Sequence, residues 1–309
     1  MQALVDVILP VFLVIGAGYL VVWRKMFSDA AVDGLMGFAQ NFAFPCLLFR
    51  AISQLNLDEA LSVSLFASFY TGAFAGFAAG LLGARLIFRR PWQDSIAIGF
   101  CGMFSNSLLL GVPITERAYG ADALQSNFAI ISVHAPILYG VGLTIMELTR
   151  AQGAGPLAKA KAILTAVFRN GLILGIALGF VANLTNLPVP EVVGGALDLV
   201  SRAALPAALF ALGGILYRYR PEGDMATITM VCLISLVLHP LVTYTLGKLT
   251  GLTTGQLRSA VLTASMAPGV NTYIFANMYG VARRVAASAL LMATALSIVT
   301  IWIWLAILP

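Results

Sequence analysis

Two short stretches hold residues that an apolar chain has little reason to keep unless they do chemistry. The first is Ser105-Asn106-Ser107, followed by Gly111 and Pro113; the second is Pro268-Gly269, followed by Asn271 and Thr272. Proline removes a backbone donor and clashes with the preceding turn, and glycine tolerates the resulting geometry. Each stretch is therefore expected to interrupt a helix and to free backbone N–H and C=O groups that need partners. N–H groups at the start of a half-helix suit an anion. Loose carbonyls, with the oxygens of Ser105, Asn106 and Asn271, suit a cation such as sodium. One such motif alone is an ordinary kink, but two at corresponding positions point to a ligand site.

Other ionisable residues lie within apolar runs, where charge is costly and functional by default. His134 precedes Pro136 and titrates near neutral pH when unperturbed. It is open to three roles: a cation for a carboxylate, a carrier of a coupled proton, or a neutral packing residue. His239, before Pro240, is a weaker candidate. Asp198 and Arg202, four apart, are expected to pair on one helix face, as a coupling element or a structural ion pair between helices. Arg50 and Arg169 are expected to reach toward headgroups. The three cysteines, Cys46, Cys101 and Cys232, lie far apart in apolar runs and read as packing residues, with no metal spacing. No P-loop and no nucleophile–base constellation appears, which argues against ATP coupling and against an enzyme; no cofactor is expected.

The elements that position these residues follow from composition. Of 309 residues, 60% are hydrophobic and 10% charged, against about 25% charged in a soluble domain. The apolar runs are long enough to cross a bilayer, which takes roughly 20 residues. Ten helical spans are expected, at 4–22, 31–52, 60–87, 94–118, 123–148, 162–183, 191–217, 225–247, 255–278 and 284–308. Thr149 to Lys161 reads as a flexible basic linker. The odd-numbered connections carry twelve Lys and Arg; the even-numbered ones carry Arg117 and Lys248. That alternation places the odd connections in the cytoplasm and both termini on the opposite side of an inner membrane. The net charge of +5 is accounted for by these loops, facing membrane lipids and not nucleic acid.

Five spans, an odd number, would be inverted in a second copy. Phe44-Pro45-Cys46-Leu47-Leu48-Phe49 resembles Leu205-Pro206-Ala207-Ala208-Leu209-Phe210, and Ala118-Tyr119-Gly120 resembles Met278-Tyr279-Gly280. The fold class is thus an all-α membrane protein of two inverted five-helix repeats, 1–150 and 151–309, a plan recurrent in secondary transporters.

Asn106-Ser107-Leu108-Leu109-Leu110-Gly111-Val112-Pro113-Ile114 with Tyr119-Gly120, and Pro268-Gly269-Val270 with Ile274-Phe275-Ala276 and Tyr279, resemble the fourth- and ninth-helix motifs of the auxin efflux carrier family, over essentially the whole chain. The resemblance implies a scaffold of spans 1, 2, 6 and 7, a transport unit of spans 3–5 and 8–10, and elevator-type movement. It implies that the crossing of spans 4 and 9 holds a carboxylate, with Pro113 as the crossover proline of span 4 and His134 where plant members carry a substrate-facing glutamine. It also implies dimerisation through the scaffold. Plant carriers have a second proline in span 9 where this chain has Asn271 or Thr272, so a smaller, more polar acid than auxin, or a cation, is suited. The expected function is a secondary carrier for a small organic acid, such as a dicarboxylate, driven by protons or sodium. A channel or a receptor is the alternative.

Overall fold

A computed structural model describes residues 2, 4–57, 61–150 and 171–309. The expected linker beyond Arg150, the start of the sixth span and Arg169 lie outside the described residues. Among those described, the chain is all-helical, without a strand; its sole extended pairing is an isolated antiparallel bridge between Ser105 and Pro268.

Among the described residues, seven helices are long and apolar enough to cross a membrane: α1 (Val5–Trp23), α2 (Asp29–Ser53), α3 (Val63–Ile87), α6 (Ala121–Thr149), α8 (Glu191–Arg218), α9 (Met225–Leu249) and α12 (Arg283–Ile307). A shorter apolar helix, α7, covers Gly171–Leu184. The expected fourth and ninth spans are each divided in two: α4 (Trp92–Met103) and α5 (Val112–Tyr119), then α10 (Thr254–Ala264) and α11 (Val270–Tyr279). Polar residues fix the helix starts, because the first N–H groups lack intrahelical acceptors. Ser28 accepts from Ala31 N, Ser62 from Leu65 N, and Thr253 forms a reciprocal capping box with Gln256.

Packing rests on small residues that let backbones touch, since lipid supplies no hydrophobic drive between helices. α1 lies on α8, where a methyl group on Gly18 would overlap the Phe210 carbonyl and one on Gly213 the Ile15 carbonyl. α7 lies on α2 in the same manner: a methyl on Gly175 would sit 2.5 Å from the Pro45 oxygen. In the other part of the molecule α3 packs on α4, α9 on α10, and α3 and α9 meet. A separate apolar cluster joins the two parts, with Leu48 of α2 and Ile176 of α7 against Val112, Leu124 and Ile131 of α5 and α6.

Ionic contacts at two places tie α8 to α2, and the first is an ion pair between helices in place of the expected pair on one helix face. Asp198 does not pair with Arg202. It takes the Arg50 guanidinium on both oxygens, Nε at 2.7 Å and Nη2 at 3.0 Å, so Arg50 does not reach for headgroups either. A planar two-point contact between helices outweighs a same-helix pair four residues apart, which stabilises by only about 0.2–0.5 kcal/mol. Arg202 is exposed and makes no ion pair among the described residues. At the other end, Arg218 bonds Asp29 at 3.0 Å and Asp33 at 2.7 Å. The Arg50–Asp198 pair is partly open to solvent, with side chains 25% and 43% exposed, which reduces its worth to about 1 kcal/mol. Arg50→Ala should lower the melting temperature by a few degrees, and Arg202→Ala should leave it unchanged; equal losses in the two would refute the cross-helix pair.

Candidate functional site

Downstream of α4, Phe104 leaves helical geometry (φ −94°, ψ 84°) and Asn106 (φ −77°, ψ 59°) forms the centre of an inverse γ-turn, closed by Ser107 N to Ser105 O at 2.8 Å. The stretch following α10 runs antiparallel to it. Asn106 N donates to Ala267 O at 2.8 Å, and Gly269 N donates to Phe104 O at 2.9 Å. Each interruption thus satisfies part of the backbone that the other leaves unpaired, and the two broken helices cross instead of merely kinking.

After the crossing each chain winds up again. Leu110 N and Gly111 N both donate to Asn106 O at 3.1 Å, a wide turn that leads into α5. Gly269 (φ −74°, ψ 160°) opens α11, and its carbonyl accepts from Thr272 N at 2.9 Å and Thr272 Oγ1 at 2.7 Å. The first N–H groups of both second halves, on Leu108, Leu109, Val270 and Asn271, have no acceptor among the described residues. Two positive helix ends therefore face one space.

That space is a cavity of about 470 Å³. The crossing forms one wall, from Phe104 to Leu109 and from Gly269 to Asn271. α6 forms the second, with Ile131, His134, Pro136 and Tyr139. The third comes from Gln40, Asn41, Phe44 and Leu48 of α2 and Gly171 to Ile173 and Ile176 of α7. No Lys, Arg, Asp or Glu lines it among the described residues. Asn106 is 5% exposed, and its Nδ2 has no hydrogen-bond partner. Ser107 Oγ lies 3.0 Å from Ser105 Oγ and 3.3 Å from His134 Nε2; the tautomer decides which atom donates. His134 Nδ1 is buried without a partner. The Tyr139 hydroxyl donates to the Asn271 carbonyl at 3.3 Å.

Of the residues singled out in the sequence, Ser105, Asn106, Ser107, His134, Gly269 and Asn271 line the cavity together, including the three considered for sodium. Gly111, Pro113, Pro268 and Thr272 do not line it. Pro268 stands within the crossing, opposite Ser105. Pro113, by contrast, sits in the first turn of α5, about two turns past the break. Helical backbone already runs from Ser107 through Gly111 (φ −63°, ψ −47°) into Pro113, so the place where Pro113 stands is not the place where the chain breaks. Asp198 and Arg202 lie away from the cavity. Gln40 and Asn41 were not singled out in the sequence, although an adjacent amide pair inside an apolar span was the available signal. Tyr139 gave none, since a tyrosine in such a span reads as packing.

The chain matches the family described as Membrane transport protein over residues 3–161 and 158–305. It is 24% identical over 302 residues, 97% of this chain and 94% of the relative, to a protein of Rhizobium meliloti named "Putative malonate transporter". It is 21% identical over 302 residues to a transporter of Escherichia coli, YfdV, named as uncharacterized, covering 96% of this chain and 95% of that one. It is 26% identical to auxin efflux carrier component 6 of Arabidopsis thaliana over 148 residues, 44% of this chain and 26% of the plant protein.

Proposed function

We propose, from the premise that this chain belongs to the membrane transport protein family that includes the auxin efflux carriers, that it is a secondary active carrier of a small organic anion. The observation that carries the reading is the unpartnered Asn106 Nδ2 beside four unpaired backbone N–H groups at two converging helix starts. Donors without acceptors that line one cavity are stabilised by a ligand that brings acceptors, and a carboxylate does so. The relative named for malonate supports a dicarboxylate. The apolar share of the wall, from Phe44, Leu48 and Ile176, leaves room for an auxin-like acid.

The architecture proposed is ten spans in two inverted sets of five, with α4–α5 and α10–α11 as the fourth and ninth. The echo between halves supports it: glycine-mediated contact sets α1 on α8 and α7 on α2, while α3 meets α4 as α9 meets α10. The scaffold would comprise α1, α2, α7 and α8, and the moving unit the remainder. Apolar side chains meet at the Leu48–Ile176–Val112–Leu124–Ile131 boundary, with Phe128 and Phe180 packed against it, and such a boundary resists sliding less than hydrogen bonds would. This supports elevator-type alternating access. The loop charges support both termini on the outer side of an inner membrane, and the scaffold is the face proposed for a homodimer. Protons or sodium would drive accumulation.

The test uses purified protein in liposomes. Unlabelled malonate, succinate, acetate or indole-3-acetate trapped inside should accelerate uptake of the same labelled acid, with saturation. Uptake that neither saturates nor responds to internal acid would mean a channel, and binding without uptake a receptor.

A further inference from the structure

Among the described residues no permanently charged side chain lines the cavity, yet the proposed cargo is an anion. Bringing an anion into such a site leaves a net buried charge, which is expensive unless a counter-charge arrives with it. One side chain in the wall can become a cation by taking up a proton, His134. It is 4% exposed, and its ring lies among three aromatic rings: Phe104 at 4.8 Å in edge contact, Phe69 at 5.6 Å and Tyr70 at 6.3 Å. Ser107 connects the imidazole to Asn106, its neighbour in sequence and in the anion-binding wall.

We propose that His134 takes up one proton each time an organic anion occupies the crossing, and that this carrier therefore moves anion and proton together. The inference rests on the organic-anion reading above and adds the coupling ion and its seat. Unoccupied, the site keeps His134 neutral, because an imidazolium there would have no counter-charge. The anion at Asn106 and Ser107 supplies one, and by linkage each ligand strengthens binding of the other. The proton comes from water on one side, rests on the imidazole during the movement, and leaves with the anion on the other. Among the described residues, His239 is the ionisable group that interacts electrostatically with His134. α3 presents Phe69 and Tyr70, whose hydroxyl donates to the Ile130 carbonyl at 2.9 Å. The crossing presents Phe104 and Ser107, and α6 itself presents Tyr139. From α9, His239 lies beyond the Phe69 ring, 5.2 Å from it. No carboxylate, Lys or Arg faces His134.

The experiment traps a pH-sensitive dye in proteoliposomes held at zero membrane potential. Malonate, succinate, acetate and indole-3-acetate are added in turn between about pH 6.5 and 8, where carboxylic acids are ionised. Protein-free liposomes subtract diffusion of the neutral acids. With wild-type protein, entry of the transported acid should acidify the lumen by one proton per molecule, without sodium. In His134→Gln, whatever flux remains should carry no proton and lose its pH dependence, while His239→Gln should keep both. Carrier-mediated flux without acidification in the wild type, or a sodium requirement in place of acidification, would overturn the proton inference and leave the anion reading standing. Unchanged proton stoichiometry in His134→Gln would overturn the assignment to His134. Failure of the wild type to exchange any of the four acids would overturn the anion reading and this inference with it.

Discussion

Replacing Asn106 by alanine should reduce organic-anion uptake by about a hundredfold while the purified protein melts no lower than wild type. The two effects have opposite signs for one physical reason. In the unoccupied protein, Asn106 Nδ2 is buried without an acceptor, a condition that costs about 1–3 kcal/mol. Truncation removes that cost along with the amide, so the unoccupied fold loses nothing through this side chain. The backbone bonds of Asn106, from its N to Ala267 O and to its O from Leu110 N and Gly111 N, are available to alanine, so the crossing persists. With the anion present, the lost donor is a charge-assisted hydrogen bond in a water-poor site, worth about 1.5–3 kcal/mol, and a hundredfold corresponds to about 2.7 kcal/mol. Uptake by liposomes, read beside a melting curve in detergent, checks both halves. Wild-type uptake by Asn106→Ala would remove the crossing from the mechanism. A large fall in melting temperature would show that the amide holds the fold and not a ligand.

The second large effect concerns the contact that holds the proposed scaffold. Gly213→Val should lower the melting temperature by about 10 °C. Overfilling an ordinary core costs about 1–3 kcal/mol because side chains give way. At Gly213 the first added carbon meets the Ile15 carbonyl and lies 2.7 Å from Tyr19 N, so two helices must separate. A cost beyond about 3 kcal/mol at about 2–4 °C per kcal/mol gives the stated shift. Gly16→Ala is the matched control, since nothing lies within 4 Å of the added carbon; it should change the melting temperature by no more than a degree or two. Equal behaviour of the two variants would show that α1 and α8 do not meet through Gly213.

What this chain could reveal without coordinates was whatever depends on neighbours along it. Apolar length and scarce charge specify membrane-spanning helices, because the bilayer is the solvent and every peptide group must be satisfied within the segment. Proline and glycine act on their own turn, so the interruptions around Asn106 and Pro268 were legible, and with them five of the residues that line the cavity. Contacts between residues far apart in the chain were not legible. Asp198 had an apparent partner four residues away, but the fold brings Arg50 from 148 positions upstream with better geometry. Pro113 looked like the breaking residue, yet the break falls where Ser105 meets Pro268, since each needs the other's peptide groups. The wall of Gln40 and Asn41, and the rings of Phe69, Tyr70 and Phe104 around His134, likewise exist only after packing. Local chemistry determined that the helices would be interrupted and that polar groups would be stranded there. Tertiary structure alone decided which groups meet, because that choice depends on which distant backbones can approach closely enough to share their hydrogen bonds.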